Sequence, residues 1–115
     1  MITVEKLEAF GANTEEGLAR CMKNEALYLR LVSTVPGEVN FGMLQSALEA
    51  KDLDGAFESA HALKGVLGNL SLTPMYNTSV ELTEYLRART DMDYEPLMKE
   101  FLAQRDELKS LCDSE

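Results

Sequence analysis

Ser59-Ala60-His61-Ala62-Leu63-Lys64-Gly65-Val66-Leu67-Gly68-Asn69-Leu70 is the stretch whose reading decides the fold, and it contains the only histidine in the chain. At about 100° per residue, the apolar residues Leu53, Ala56, Ala60, Leu63, Leu67 and Leu70 fall on one stripe, the pattern of a helix with one face against a core. His61 lies roughly 120° from the centre of that stripe, at or outside the core boundary, with Gly65 and Gly68 within about 40° of it. A glycine inside a helix costs about 1 kcal/mol relative to alanine. Two of them beside a single imidazole suggest that another molecule has to approach that surface. Lys64 falls between His61 and the core stripe, so its apolar stem can rest on the core edge while the ammonium reaches toward the imidazole.

Outward from this segment the chain reads as helix after helix, with no alternating strand pattern. On the N-terminal side a short helix spans about 3–10 and is stopped by Gly11. Asn13, followed by Glu16, caps a helix through Met22. Asn24 caps a third, with Leu27, Tyr28, Leu31 and Val32 on one side, and Val35-Pro36-Gly37 ends it. Asn40 caps the next, with Phe41, Leu44, Ala47 and Leu48 at helical spacing. The histidine helix starts near Asp52 and runs to about Leu70. Thr73-Pro74 is then a start signal, a cap residue followed by proline at the first helical position. Met75, Ser79, Leu82 and Leu86 give that helix its inner face, and it ends near Arg89. Thr90-Asp91-Met92-Asp93 is a turn, and a last helix covers about 94–112, with Leu97, Phe101, Leu108 and Leu111 inward. Short connections make neighbouring helices antiparallel. The expected fold is all-α: an antiparallel four-helix bundle over about 40–113, with shorter N-terminal helices (about 1–35) packed on it. The sequence holds no internal repeat and no low-complexity segment.

At 115 residues this is one domain, large enough for a real core. No apolar run approaches the length of a membrane span, and no signal-peptide pattern opens the chain, so the cytoplasm is the default location. Cys21 and Cys112 lie far apart and form no metal-type pair, which makes them reduced thiols near element ends. The formal net charge of -9 disfavours nucleic acid and anionic lipid, both of which need a basic patch. It is neutral about a protein partner.

His61-Ala62-Leu63-Lys64-Gly65, followed by Gly68-Asn69-Leu70, resembles the signature of histidine-containing phosphotransfer (HPt) domains. The motif covers about a dozen residues, and the helix pattern of the rest of the chain agrees with that family. Ser71 departs from it, standing where the family often has another glycine. The resemblance implies a histidine that carries a phosphoryl group between the aspartates of receiver domains. It implies that Mg²⁺ and the acceptor aspartate belong to the receiver partner, and that the chain itself needs no cofactor and no metal. The protein would be a monomeric carrier rather than a kinase, with receivers of response regulators and hybrid sensor kinases as partners.

Imidazole suits this chemistry because it is a good nucleophile and substantially neutral near pH 7. Phosphoryl transfer asks for in-line positioning and charge stabilisation more than for covalent help. A relay donor needs an exposed imidazole, room for the partner and a cation for the phosphoryl oxygens. His61 offers the first, Gly65 and Gly68 the second, and Lys64 the third. Each residue also has a plainer reading. Lys64 can be a solvated charge, and Gly65 can permit close helix packing. Phe57, between core and histidine stripe, is either core rim or docking contact, and Asn69 is either the fraying helix end or a contact. Asp54 and Glu58 share the histidine side. They form a solvated acidic face, an electrostatic cost to a phosphorylated His61, or, for Glu58, a partner of the imidazole.

Two readings from other classes compete. Glu58-Ser59-Ala60-His61 matches Glu-x-x-His, the helix motif of di-iron carboxylate bundles, but such a site needs the motif twice, and pointing inward. A plain helical interaction module needs no His-Lys-Gly-Gly constellation at all. Within the family, the chain is either a stand-alone protein, which its ends favour, or a phosphoacceptor domain of a larger kinase.

Overall fold

The computed structural model describes residues 1–113. The described chain is all-α: α1 (Val4–Phe10), α2 (Thr14–Arg20), α3 (Glu25–Thr34), α4 (Asn40–Glu49), α5 (Leu53–Asn69), α6 (Thr73–Arg87) and α7 (Glu95–Asp113). A single 3-10 turn, Val35–Gly37, joins α3 to α4.

Capping side chains set most of the starts. Thr3, Asn13, Asn24 and Asp52 each accept a hydrogen bond from the backbone amide three residues on, opening α1, α2, α3 and α5. Two expected caps are displaced by one position. Asn40 is the first residue of α4, and its amide and side chain both donate to Oε1 of Glu38, whose carboxylate thus occupies the helix start. Thr73 likewise lies inside α6, Leu72 holds the cap position, and the Thr73 hydroxyl turns back to the Ser71 carbonyl. In both cases a proline or a preceding side chain does the work a cap would do, so the helix starts without one. Two ends are earlier than periodicity suggests. α2 stops at Arg20 because Cys21 turns into the core and Met22 and Lys23 take left-handed conformations, φ 57° and 61°. α6 stops at Arg87, with Arg89 left-handed.

Helices α4 to α7 form the bundle. α5 packs against both α4 and α6, and α6 against α7. The ring of Phe41 on α4 meets that of Phe101 on α7 at 5.1 Å between centroids, which closes the fourth side. Within this frame Ala56, Ala60, Leu63 and Leu67 of α5 are fully buried, as are Leu44 of α4 and Leu82 of α6. The inner face of α7 is rotated slightly from expectation: Met98 is buried with Phe101 and Leu108, whereas Leu97 and Leu111 sit at the rim. On α3, Leu31 is exposed, whereas Tyr28 and Val32 are buried and Leu27 and Leu29 pack at the rim. Cys21 and Cys112 are both free thiols.

The N-terminal helices grip one corner of the bundle, the turn between α5 and α6. The Asn13 amide donates to the Ser71 carbonyl (2.9 Å), the Tyr28 hydroxyl to the Leu70 carbonyl (2.9 Å), and the Ser71 hydroxyl to the Glu16 carboxylate (2.8 Å). Ser71 itself is left-handed, φ 56°, the conformation for which glycine is the usual residue. Its hydroxyl bond to Glu16 is an interaction glycine could not make, and it offsets the steric cost of a Cβ there. Burial pushes the Tyr28 phenol up to about 12. Tyr28→Phe is expected to lower stability by about 1–2 kcal/mol at neutral pH, measured by urea unfolding, because it orphans a buried carbonyl. The raised phenol favours the protonated folded form. Its contribution is therefore complete below pH 10 and declines as pH rises from 10 to 12. Over that range the gap between wild type and variant should close.

Candidate functional site

His61 sits midway along α5, the helix whose apolar stripe is shared between α4 and α6. Because Ala60 and Leu63 are fully buried, the imidazole at 61 is carried to the outside, and it is exposed as the wheel requires. Its ring contact is aromatic. The Phe57 ring, one turn earlier, lies 5.7 Å from it between centroids, with the planes 15° apart. Among the described residues neither ring nitrogen makes a hydrogen bond.

Phe57 is half-buried at the core rim and carries a cation on its ring: the guanidinium carbon of Arg87, from α6, is 5.0 Å from its centroid. Arg87 also meets Glu84 of its own helix at 3.6 Å. The same pairing of α5 with α6 brings Arg89 to Asp54 as an exposed ion pair. Asp54 is thus engaged away from the imidazole. Glu58 is exposed and makes no bond to His61. With Glu58 and His61 both facing out, the inward geometry of a di-iron bundle is not present, and no group of three or more His, Cys, Asp or Glu among the described residues is placed to hold a metal ion.

Toward the C-terminal end of α5 the surface dips into an open depression of about 350 Å³, lined by Lys64, Gly65, Gly68, Asn69 and Tyr76, with Arg20 and Glu16 of α2 on its rim. The two glycines differ in what surrounds them. A Cβ at Gly65 would meet nothing within 4 Å, so no intramolecular contact explains the missing side chain. A Cβ at Gly68 would stand 3.0 Å from Cε1 of Tyr76, so this glycine makes room for the α6 tyrosine. Close helix packing therefore accounts for Gly68 and not for Gly65. Lys64 is half-buried and makes no ion pair among the described residues. Asn69 is the last residue of α5 and exposed.

Lys64, Gly65, Gly68 and Asn69 thus share one depression, and the His61–Phe57 stack adjoins it one turn toward the N-terminus. Arg87, Arg20 and Tyr76 were not foreseen. Each comes from another helix, and only the antiparallel register of α5 with α6 could have pointed to two of them. Asp54 meets Arg89, Phe57 meets Arg87 and Gly68 meets Tyr76: as one number rises the other falls.

The Hpt domain family model matches residues 37–113, from the turn before α4 to the end of α7. No curated protein and no solved structure is a significant match to the chain. The family match takes in more than half of the chain, and all four helices of the bundle, together with the His61 segment on α5, lie inside it; the chain belongs to the Hpt domain family.

Proposed function

We propose that this protein is a phosphorelay carrier in which His61 accepts a phosphoryl group from a receiver-domain aspartyl phosphate and passes it to the aspartate of another receiver. Hpt domains are phosphotransfer carriers of two-component signalling and interact with receiver domains. The observation that carries the finer reading is the open space at Gly65 beside an exposed imidazole. A bare patch of helix next to the only histidine lets a second protein bring its own reactive group to the ring.

In the step itself, the unprotonated ring nitrogen of His61 forms a bond to phosphorus while the bond from phosphorus to the aspartyl oxygen breaks. The carboxylate leaves with the electron pair, and the other ring nitrogen keeps its proton. Passing the group on reverses these bonds. Lys64, one turn after His61, lies within reach of phosphoryl oxygens held there and balances their charge. Mg²⁺ and the acceptor carboxylate are assigned to the receiver. The carrier is read as a cytoplasmic monomer without kinase activity of its own. No described helix is long and apolar enough to cross a membrane.

His61→Gln tests the assignment. It should remain folded by circular dichroism and take up no phosphoryl group from a phosphorylated receiver or from phosphoramidate, whereas wild type gains an acid-labile, base-stable label. Label retained by the variant would exclude His61 as acceptor, whereas a wild-type protein that takes up no label would leave a plain interaction module.

Gly65 and Gly68 should part company. Gly65→Ala is expected to keep or raise thermal stability, by up to about 1 kcal/mol, because alanine favours helix. Gly65→Gln should stay folded yet lose most transfer from a receiver. Gly68→Ala should raise the melting temperature less than Gly65→Ala does, since its Cβ meets Tyr76 at 3.0 Å. If Gly65→Gln unfolds the bundle while the folded fraction transfers normally, the docking role of Gly65 is wrong.

Lys64→Ala should change stability by no more than about 0.5 kcal/mol, as expected for a side chain without an ion pair. It should slow transfer or shorten the phosphohistidine lifetime. Lys64→Arg should keep part of the function, because a planar fork replaces a compact ammonium. Transfer at the wild-type rate with an unchanged lifetime in Lys64→Ala would reduce the lysine to a solvated charge.

A further inference from the structure

We propose that Phe57 is a positioning residue for His61: its ring, held by Arg87 of α6, fixes the orientation in which the imidazole meets the phosphoryl donor. The proposal rests on the reading of His61 as phosphoacceptor and assigns a role to a side chain on which that reading does not depend.

An imidazole on an open helix surface, without hydrogen bonds, is free to change rotamer. A long side chain on a helix leans toward the preceding turn, so residues four apart lie over one another. Phe57 and His61 have that spacing. Their rings are near-parallel, 15° apart, with centroids 5.7 Å apart, the geometry of an offset stack, and neither imidazole nitrogen is engaged in a hydrogen bond among the described residues. The surface is itself restrained. Phe57 is packed at the core rim, and the Arg87 guanidinium lies over its ring at 5.0 Å. Arg87 is restrained in turn by Glu84. A chain of contacts therefore runs from α6 through Phe57 to a nucleophile on α5. In-line attack on phosphorus requires the nitrogen lone pair to be aimed, and a ring held in one rotamer spends more time aimed than one that samples three. The preference an aromatic pair supplies corresponds to roughly a three- to ten-fold bias toward one orientation.

His61 is the only histidine, so its ring C–H resonances are identified in a proton–carbon NMR spectrum without further assignment. Phe57→Leu keeps an apolar side chain at the core rim and removes the aromatic face. It should abolish the ring-current shift of those resonances and slow phosphorylation by phosphoramidate, a donor too small to need a docking surface, by roughly three- to ten-fold. Phe57→Tyr should restore both. Arg87→Gln, at the exposed end of α6, removes the cation from the Phe57 ring and should weaken the ring-current shift and the rate in the same direction. The proposal is overturned if Phe57→Leu loses the shift but reacts with phosphoramidate at the wild-type rate. It is also overturned if Phe57→Leu slows transfer only from a receiver protein, which would make Phe57 a docking contact. It fails equally if Phe57→Tyr does no better than Phe57→Leu. A wild-type protein that takes up no phosphoryl group would overturn the carrier reading itself, and that failure is separate from a phosphorylated wild type that the Phe57 variants match.

Discussion

The packing of α5 between α4 and α6 is the constraint on which the rest of the site depends. Ala56, Ala60, Leu63 and Leu67 are fully buried on one face, and their spacing leaves no rotational freedom for the residues between them. A helix so fixed must carry 61 and 65 to the opposite side, whatever their identity. The chemistry is therefore a by-product of core packing: the more firmly the leucines are buried, the more reliably the imidazole is presented. The small residues Ala56 and Ala60 let the neighbouring helices approach closely, which brings Tyr76 and Arg87 of α6, and Arg89 just beyond its end, within reach of the exposed face.

Much of this was legible in the residues. The limits of α5, its Asp52 cap and the outward placement of His61 follow from periodicity and capping within one helix, and local rules suffice for them. What was not legible depends on a second helix. Gly65 and Gly68 look alike on a wheel, yet one faces open space and the other faces Tyr76, a distinction that exists only once α6 is in register. Asp54 looked like part of an acidic face near the histidine until Arg89 was placed beside it. Phe57 was recognised as lying between core and histidine stripe, but its contact with Arg87 comes from thirty residues downstream. Asn40 and Thr73 show the opposite kind of failure. Each has cap chemistry, and each lies one position inside its helix, with Val39 and Leu72 at the cap positions.

Charge is distributed unevenly with respect to function. The chain carries a net charge of -9, yet Arg20, Lys64, Arg87 and Arg89 all lie on or beside the face around α5. Three of the four are held by carboxylates of the same protein, Glu16, Glu84 and Asp54. These exposed pairs contribute little to stability. Their effect is local: they keep the guanidinium groups in place while lowering the net positive potential of the surface, so that of these four cations Lys64 is the one without an internal carboxylate partner among the described residues.

The grip of the N-terminal helices on the α5–α6 corner has a consequence for the order in which the molecule assembles. The bonds from Tyr28 to Leu70 and from Ser71 to Glu16 join residues 42 and 55 positions apart, whereas every hydrogen bond inside α5 spans a single turn. Closing such long loops is slow relative to local helix formation, because the chain entropy is lost before the contact is made. The histidine helix can thus form while its C-terminal end is still unclasped. The corner bearing the left-handed Ser71 is sealed only when the N-terminal segment arrives. The floor of the depression beside Lys64 is in this sense a seam between two stretches of chain, completed by the part of the protein that lies ahead of the family match.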